Sequence, residues 1–437
     1  MLEVHRTHRA TIRNHSQVGE SLDRHGWSAS KLWNVANYYS RQQWDETGEI
    51  PDHEELKDEL KTHPKYKGLH SQSSQRVLEE LAEAFNSWYS SDDDRDNPPG
   101  YRKRNYYDTE GRRVHEEHPR STVTWKQKGI RHDTKHNRVR LSKGKLHKHY
   151  PRQRDYILVE YETRPDVTVE NLQQVRAVYD QQKERWELHL VCNDEIETPS
   201  APGEETAGID LGISNFAAVA YSTEDAELYP GNRLKQDGYY FPKEIAKCDD
   251  SGGDRATRLH KKWSERRTHF FHSLAKHIVQ RCVEKGVGRI NVGDLEGVRE
   301  DEDNESKNWG KHGNLDLHGW AFDRFTNILE YKAKVEGIEV VDVDEENTSK
   351  TCCVCEKEDD SQRVERGLYV CESCEVAFNA DVNGAENIRL DSNASNSESS
   401  GQLSGDRSTG WLAQPAVYLY DLPCGFQPQA EVVDYKP

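Results

Sequence analysis

The chain has 437 residues and a formal net charge of −18, because 78 acidic side chains outnumber 60 basic ones. Hydrophobic residues make up only 33% of it, yet its length allows two to four domains. This charge argues against a protein whose whole surface is basic in order to grip nucleic acid, but it allows a local basic channel. No apolar run approaches the roughly 20 residues that span a bilayer, and the polar start does not resemble a signal peptide. We therefore expect no membrane association.

An acidic chain with one methionine and few hydrophobic residues is typical of the proteins of cells that have a very salty interior. At about 1 M salt the Debye length is only about 3 Å, which screens the repulsion among carboxylates. The composition therefore suggests a halophilic host, which is a hypothesis about habitat and leaves the function open.

The first half of the chain predicts a small β domain that a helical unit interrupts. A short strand within Met1–Arg13 comes first, and a helix follows for which Ser28 and Ser30 supply the expected N-terminal caps. A second helix ends before the polar run Ser90–Pro99. From residue 121 to 192 apolar and polar residues alternate, which predicts the successive strands of a small β-barrel or sandwich.

Charge is unevenly distributed along the chain. Between Gly100 and Asp155 there are 17 basic and 6 acidic residues, a net charge of +11, with tyrosines and a tryptophan among them. A second basic stretch runs from Arg255 to Arg267. Such clusters suit phosphate contacts and base stacking, although a solvated basic face would look the same. The candidate nucleic-acid-binding residues are Arg102, Lys103, Arg104, Lys126, Lys128, Arg138, Arg140, Arg255, Arg258, Lys262 and Arg266.

After a linker at 195–205, the second half predicts an α/β fold. Asn379 is expected to cap a short last helix, and residues 411–437 show no clear period. The run 393–404 has the composition of a disordered segment. The other expected elements are strands at 208–212, 216–221, 289–294 and 338–343 and helices at 254–285 and 320–336.

Five of the nine cysteines lie between Cys352 and Cys374, which favours metal binding in a reducing cytosol over a disulfide framework. The C-x-x-C pairs Cys352/Cys355 and Cys371/Cys374 are separated by 15 residues, and two such turns complete a tetrahedral zinc site. A redox dithiol would instead need an accessible thiol of low pKa in a thioredoxin-like context. We predict structural Zn²⁺ at these four cysteines.

Three aspartates lie at the ends of predicted α/β elements: Asp210 in GIDLG, Asp294 in VGDLEG and Asp381 at the start of the last helix. Alone, each would more often be a cap or turn residue. Strand ends and helix starts meet at one edge of a sheet, where such carboxylates can hold two Mg²⁺ about 3.5–4 Å apart. A ribonuclease H-like nuclease core requires this order of elements, so we predict that the three aspartates are catalytic.

Three segments carry a resemblance to a known family: GIDLGISNFAAVA (208–220), YKAKVEGIEVVDVDEENTSKTCCVC (331–355) and YVCESCEVAFNADVNGAENI (369–388). The chain from 208 to 388 resembles the C-terminal half of the OrfB/TnpB family, transposase-associated proteins of insertion sequences that act as RNA-guided DNA endonucleases. The resemblance implies an α/β ribonuclease H-like (RuvC) nuclease core with an inserted zinc ribbon, preceded by a wedge-like β-barrel domain with a helical insertion.

The resemblance also implies domain boundaries. They are 1–18 and 97–196 for the barrel, 19–96 for a helical recognition lobe, 197–346 and 376–391 for the nuclease, 347–375 for the zinc ribbon and 392–437 for a low-complexity and C-terminal tail.

The family's first and third RuvC acids correspond to Asp210 and Asp381. Its second acid is usually the glutamate of a strand ending Glu-Asp-Leu, and here GDL at 293–295 takes that place. A small register shift would let Asp294 supply the carboxylate, although strand alternation puts it on the opposite face from the glycine. Glu296 is the alternative. If neither residue reaches the metal ions, the protein binds its targets without cutting them.

The implied partners are a guide RNA, held by the barrel and the basic stretch, and double-stranded target DNA. The implied cofactors are Mg²⁺ in a two-metal site and structural Zn²⁺, in a cytoplasmic protein. The expected activity is RNA-guided, Mg-dependent endonucleolytic DNA cleavage for a transposable element, linked to DNA recombination and transposition. Two alternatives are a guide-free RuvC-like resolvase or transposition accessory nuclease, and a cleavage-deficient RNA-guided DNA-binding regulator.

Overall fold

The chain divides into two compact units, Met1–Ile196 and Glu197–Pro437. None of the helices in the described ranges combines the length and the apolar character that crossing a bilayer requires. The computed structural model describes residues 2–90, 97–102, 105–107, 113–115, 119–148, 154–196, 199–248, 253–294, 322–344, 348, 350–364, 367–391 and 410–429.

The first unit combines a helical segment with antiparallel strands. Its helices are α1 (His15–Thr47), α2 (His53–Leu60) and α3 (Ser71–Tyr89). Its strands are β1 (Leu2–Ile12), β2 (Asn105–Tyr107), β3 (Arg113–His115), β4 (Val123–Lys126), β5 (Ile130–Asp133), β6 (Arg138–Ser142), β7 (Tyr156–Glu162), β8 (Leu172–Asp180) and β9 (Arg185–Ile196).

Seven of these strands form one antiparallel sheet in the order β4-β8-β9-β1-β7-β6-β5, while β2 and β3 pair separately. The first strand lies in the middle of the sheet, because β1 pairs with β9 along most of its length on one side and with β7 on the other. Side chains alternate between the two faces, so that Ile157, Val159 and Tyr161 of β7 are buried. This buried face joins the helices in one apolar core around Trp125 and Trp186.

The prediction that Ser28 and Ser30 cap a helix is wrong, because α1 already begins at His15. Both serines are buried inside the helix, where their hydroxyl groups donate to the carbonyl oxygens of Arg24 (2.9 Å) and Gly26 (3.1 Å). A serine can satisfy its hydroxyl in this way four residues back along a helix, so serine by itself does not mark a helix start.

The second unit is a layered α/β domain. Its strands are β10 (Glu205–Leu211), β11 (Asn215–Tyr221), β12 (Asp225–Pro230), β13 (Val287–Asp294), β14 (Glu339–Asp344), β15 (Leu368–Cys371), β16 (Val376–Asn379), β17 (Ala416–Asp421) and β18 (Gly425–Pro428). Its helices are α4 (Asn232–Ile245), α5 (Asp254–Glu284), α6 (Phe322–Val335), α7 (Ala380–Asp391) and α8 (Gly410–Ala413).

Seven strands of this unit form a mixed sheet in the order β14-β13-β10-β11-β12-β17-β18. β10, β13 and β14 are parallel, and β11 lies antiparallel between β10 and β12. Helices α5 and α6 cover one face, where Phe216, Phe271 and Phe325 pack together. Helix α7 packs on the other face, so β11 is buried on both sides.

The expected C-terminal tail, 392–437, requires a correction, because β17 and β18 belong to the seven-stranded sheet of the second unit. β17 pairs in parallel with β12, with Glu227 beside Ala416 and Leu228 beside Val417. Phe426 of β18 is buried against Tyr229 and Phe270. These strands are short and have no apolar period of their own. β17 is defined by its pairing with β12, far away in sequence, and β18 by its antiparallel pairing with β17. β12 and α4 were likewise absent from the predicted elements.

Candidate active site and metal centre

Asp210 and Asp381 lie where strand β10 meets helix α7. Asp210 is the second-last residue of β10, and Asp381 is in the first turn of α7. The strand neighbours Ile209 and Leu211 belong to the core on the α5 and α6 side, so Asp210 belongs to the face that α7 covers. Two of the three predicted acids therefore lie on facing elements, although they are far apart in sequence.

Two glycines allow α7 to approach this strand closely. A Cβ atom at Gly208 would lie 2.1 Å from the carbonyl oxygen of Ala385, and one at Gly384 would lie 2.7 Å from Oδ2 of Asp210. Real Cβ atoms do not make contacts this short. Gly384 therefore packs directly against the Asp210 carboxylate.

Local hydrogen bonds position Asp381. The Asn379 side chain accepts from the backbone N–H groups of Asp381 (3.1 Å) and Val382 (3.2 Å), which caps α7 as the sequence predicts. The side-chain amide of Asn215, at the start of β11, donates to Asp381 Oδ2 over 2.8 Å. This contact links the third acidic segment to the strand that follows the first one.

The electrostatics of this pair suit a cation. Burial, together with the nearby negative charge of Asp381, raises the pKa of Asp210 to about 7. The guanidinium of Arg363 opposes this rise, and its Nη2 lies 3.8 Å from Oδ1 of Asp381. A divalent cation would favour both carboxylates in their charged form, so the donor set fits Mg²⁺, which prefers oxygen ligands.

The strand that should supply the second acid has a glycine beside Asp210. In the parallel pair of β10 and β13, Gly208 lies beside Asn291 and Ile209 beside Val292, so Gly293 follows next to Asp210. The Asn291 amide donates to the Arg389 carbonyl oxygen of α7 over 3.0 Å, so Gly293, two residues on, shares the face that α7 covers. Asp294 is the last residue of β13, and its side chain and all of Glu296 lie outside the described residues.

The four predicted zinc ligands lie together. The sulfur atoms of Cys352, Cys355, Cys371 and Cys374 are within 4.8 Å of one another, with 3.9 Å between Cys352 and Cys374 and 3.6 Å between Cys355 and Cys371. A tetrahedral zinc ion with bonds of about 2.3 Å holds its sulfur ligands about 3.8 Å apart. The geometry therefore fits zinc.

Each cysteine pair lies in a tight turn of similar form. The residue after each pair, Glu356 or Glu375, has a positive φ of 58° or 55°, which reverses the chain. Strands β15 and β16 form the hairpin of the second turn. In the absence of metal, burial raises the pKa of the Cys352 thiol to about 11, so a bound cation is what would hold it as a thiolate.

The cysteine ribbon is attached to the helix that carries Asp381. Asn383 accepts a hydrogen bond from the backbone N–H of Cys353 (3.0 Å) and donates to the carbonyl oxygen of Thr351 (2.8 Å). Asn387, one turn further, donates to the Thr348 and Thr351 carbonyl oxygens. One face of α7 thus contacts Asp210, and the neighbouring face holds the ribbon.

Several candidate nucleic-acid-binding residues form ion pairs with acidic residues of the protein itself. Arg102 pairs with Glu80 at 3.2 Å and lies over the Trp33 ring, and Lys126 pairs with Glu79 at 2.8 Å. These contacts attach α3 and α1 to neighbouring segments of the first unit. Two further candidates also form ion pairs, Arg138 with Glu160 (3.2 Å) and Arg266 with Asp237 (2.9 Å).

The remaining candidates are on the surface or undescribed. Lys103 and Arg104 lie outside the described residues. The exposed candidates are Lys128, Arg140, Arg255, Arg258 and Lys262.

Three residues that matter at the site were not singled out from the sequence: Asn215, Arg363 and Gly384. Asn215 and Gly384 lie inside the motifs GIDLGISN and NADVNGAENI, and this placement beside the acids was a sequence signal that they belong to the site. Arg363 lies between the two cysteine pairs, where no local pattern distinguishes it from other basic residues.

The mixed sheet, the acid pair between β10 and α7 and the four-cysteine ribbon define a ribonuclease H-like nuclease fold with a zinc-binding ribbon. Residues 177–299 match the OrfB_IS605 family, described as "Probable transposase", and residues 322–388 match the Cas12f1-like TNB domain. These two matches confirm the resemblance to the OrfB/TnpB family.

Individual proteins give the same result. The chain is 31% identical over 209 residues to the TnpB-like protein ORF457 of Acidianus two-tailed virus, covering 44% of this chain and 43% of that protein. It is 25% identical over 231 residues to the CRISPR-associated endodeoxyribonuclease Cas12f1 of Sulfoacidibacillus thermotolerans, covering 49% and 52% of the two chains. The match thus spans about half the length of each of these relatives.

A solved structure shares the fold. A Cas12f1 chain, from the cryo-EM structure of a Cas12f1–sgRNA–target DNA complex, superposes with a TM-score of 0.57. The superposition covers 85% of this chain and 82% of that one, at 16% sequence identity.

Proposed function

We propose that this protein is an RNA-guided, Mg-dependent DNA endonuclease of a transposable element. The observation that carries this proposal is the pairing of Asp210 with Asp381 across β10 and α7, beside a four-cysteine ribbon. The names of the relatives support it, since they describe TnpB-like proteins and a CRISPR-associated endodeoxyribonuclease.

We propose the domain boundaries that the family resemblance implies, with 1–18 and 97–196 as a wedge-like barrel and 19–96 as a recognition lobe. The nuclease would comprise 197–346 and 376–391, with β17 and β18 added, and 347–375 would be the zinc ribbon. The succession of antiparallel strands interrupted by α1, α2 and α3 supports the first part of this division.

The guide RNA would bind the exposed basic face of the first unit. Arg131 of β5 lies directly opposite Arg140 of β6, and both side chains are exposed. Like charges opposite each other on paired strands are destabilising. A phosphate between them would remove that repulsion, and the nearby Tyr156 ring, 5.1 Å from the Arg140 guanidinium, offers a stacking surface.

In the nuclease site, Asp210, Asp294 and Asp381 would hold the metal ions. Divalent cations supply an activated water and neutralise charge at the scissile phosphate when they are bound. Asn215 keeps the Asp381 carboxylate in place through its hydrogen bond to Oδ2. Arg363 would attract the phosphate to the same position, because its charge already faces both carboxylates. The ribbon would position Arg363 and the start of α7 through Asn383.

A cleavage-deficient regulator is the second candidate, and a specific observation favours it. Gly293 stands beside Asp210 at the strand position from which a second acid would most directly join the pair. If neither Asp294 nor Glu296 completes the site, guide-dependent binding would persist without cutting.

The decisive experiment is to purify the full chain under native salt and sequence the RNA that accompanies it. A discrete RNA species supports the guided function, and its absence contradicts it. The protein loaded with this RNA is then mixed with matched DNA and Mg²⁺. The nuclease function is supported if Asp210→Asn abolishes cleavage and the exposed control Asp421→Asn retains it. Matched binding without cleavage by the unaltered protein favours the regulator.

A further inference from the structure

Helix α4 presents two tyrosines to solvent on its outer face. Tyr239 is 72% exposed and Tyr240 is 51% exposed, and the two are adjacent in sequence. Lys243, one turn later, is exposed on the same side, and its ammonium lies 5.5 Å from the centre of the Tyr239 ring. Two large aromatic rings side by side at this exposure form an apolar patch on the surface, and such patches mark binding sites more often than single exposed rings do.

These tyrosines are not needed to attach α4 to the domain. The opposite face of the helix does so, with Leu234, Asp237 and Phe241 buried. Phe241 stacks on Trp263 of α5 with an angle of 10° between the rings, and Asp237 pairs with Arg266 of α5 at 2.9 Å. The packing of α4 therefore leaves Tyr239 and Tyr240 available for another contact.

The surroundings of the two rings are basic. Lys247 follows the end of α4, and Arg255, Arg258 and Lys262 are exposed on the part of α5 that packs against α4. The intervening Glu244 is paired with Lys247 (2.5 Å) and lies 3.8 Å from Arg255. In a chain with a net charge of −18, a local excess of cations around exposed aromatic rings indicates an anionic ligand with flat groups.

We propose that the outer face of α4 binds single-stranded DNA, with unpaired bases stacked on Tyr239 and Tyr240 and the backbone phosphates held by Lys243 and the cations of α5. Stacking on protein side chains requires bases that are free of a partner strand, which excludes an intact duplex as the ligand. The choice of DNA rests on the proposed function, because α4 belongs to the same compact unit as Asp210 and Asp381.

The test measures binding rather than cleavage, so its result does not depend on whether the nuclease is active. The full chain carrying Asp210→Asn is titrated into fluorescein-labelled (dT)₂₀, and fluorescence anisotropy gives the Kd at one fixed KCl concentration. Replacing both tyrosines, Tyr239→Ala with Tyr240→Ala, should weaken binding roughly ten- to hundredfold. Binding by the double variant as tight as that of its parent would overturn the proposal.

Two further variants separate stacking from other effects. Tyr239→Leu with Tyr240→Leu keeps apolar surface but removes the aromatic faces, and it should bind as weakly as the alanine variant. Tyr331→Ala removes another exposed tyrosine of the same unit, whose ring contacts that of His272. This variant should have a Kd within about twofold of the parent's. Parental affinity in the leucine variant would overturn stacking, and an equal loss in Tyr331→Ala would overturn the specific role of α4.

Two other ligands identify the nucleic acid. A blunt 20-base-pair duplex should bind the parent and the alanine variant equally, since it offers no unpaired base, and an equal loss on the duplex would contradict stacking. If the alanine variant loses affinity for (U)₂₀ but not for (dT)₂₀, the surface binds RNA and the assignment to DNA is wrong.

Lys243 can be tested through the salt dependence of the same binding. Lys243→Ala should lower the slope of log Kd against log[KCl] by about one, as expected for one lost phosphate contact. Lys334→Ala, an exposed lysine on α6, is the matched control and should leave the slope unchanged. An unchanged slope in Lys243→Ala would contradict its role in phosphate binding.

Discussion

Gly384 of α7 packs against the carboxylate of Asp210, so closely that a Cβ atom at this position would lie 2.7 Å from Oδ2. This contact joins the third acidic motif to the first across the face of the sheet. It also explains why the residue three positions after Asp381 has no side chain.

Gly384→Ala should therefore damage the acid pair without removing an acid. The new methyl group must displace the Asp210 carboxylate or push α7 away, and we expect Mg²⁺-dependent cleavage to fall on the order of tenfold or more. Gly238→Ala in α4 is the control, since a Cβ there meets nothing within 4 Å, and it should stabilise the helix by about 0.5–1 kcal/mol. Equal cleavage by Gly384→Ala and the parent would show that the close approach of α7 to Asp210 is not needed for activity.

The second acid is expected to be Asp294. Asp294→Asn should lower cleavage by the guide-loaded protein on the order of a hundredfold or more, whereas Glu296→Gln should keep it. The reverse result would assign the role to Glu296. Because Gly293 stands beside Asp210 in register, Gly293→Glu should restore cleavage to the Asp294→Asn variant. The readout is the rate of cutting of a matched DNA at saturating Mg²⁺.

The purified protein should contain one Zn²⁺ per chain, bound by the four clustered cysteines. Cys371→Ser should lose this zinc and lower the thermal midpoint, because the ribbon is hydrogen-bonded to α7 through Asn383. Elemental analysis by mass spectrometry measures the zinc content. Cys424→Ser, at an exposed thiol outside the cluster, should retain the full amount. A zinc-free parent protein would contradict the site.

His25 should make the first unit sensitive to acid. It is buried beside Trp125, and burial lowers its pKa to about 3, while its Nδ1 lies 2.7 Å from the Ser21 carbonyl oxygen. The folded protein keeps this ring neutral where the unfolded chain protonates it, with a pKa near 6.5. Its contribution to stability is therefore full above about pH 6.5 and is lost progressively as the pH falls towards 3.

His25→Phe removes this titration. Between pH 7.5 and 5 the variant should lose less free energy of unfolding than the parent, by up to about 2 kcal/mol. Urea unfolding at the two pH values measures the difference. An identical loss in both proteins would mean that the ring is not held neutral. His5→Phe, at an exposed position on β1, is the control and should lose as much as the parent.

Stability should rise with KCl concentration, because exposed carboxylates crowd the helical segment. Burial raises the pKa of Tyr39, and the negative charges of Glu59, Glu55 and Glu46 raise it further, which reports their shared negative field. The thermal midpoint should increase between 0.1 and 2 M KCl as this repulsion is screened. Glu46→Gln with Glu59→Gln should make the increase smaller. A thermal midpoint that does not change with KCl concentration would contradict both the repulsion among the carboxylates and the halophilic interpretation.

Local chemistry determined much of what the sequence predicted. Two C-x-x-C turns specify four thiolates for one ion, and the structure brings their sulfur atoms together. Asp210 and Asp381 were singled out because each stands at the end of an element whose period is visible within a few residues. Asn379 was recognised as a cap for the same reason.

Only tertiary structure decided which residues meet. The place of Gly293 beside Asp210 depends on the register of β10 and β13. β17 joins the sheet through its pairing with β12, and β18 joins it through β17. Arg102 and Lys126, which the composition made candidates for nucleic-acid binding, form ion pairs with Glu80 and Glu79 of α3. A sequence pattern reports a residue's neighbours along the chain, whereas register and ion pairing depend on packing between segments that the chain brings together only on folding.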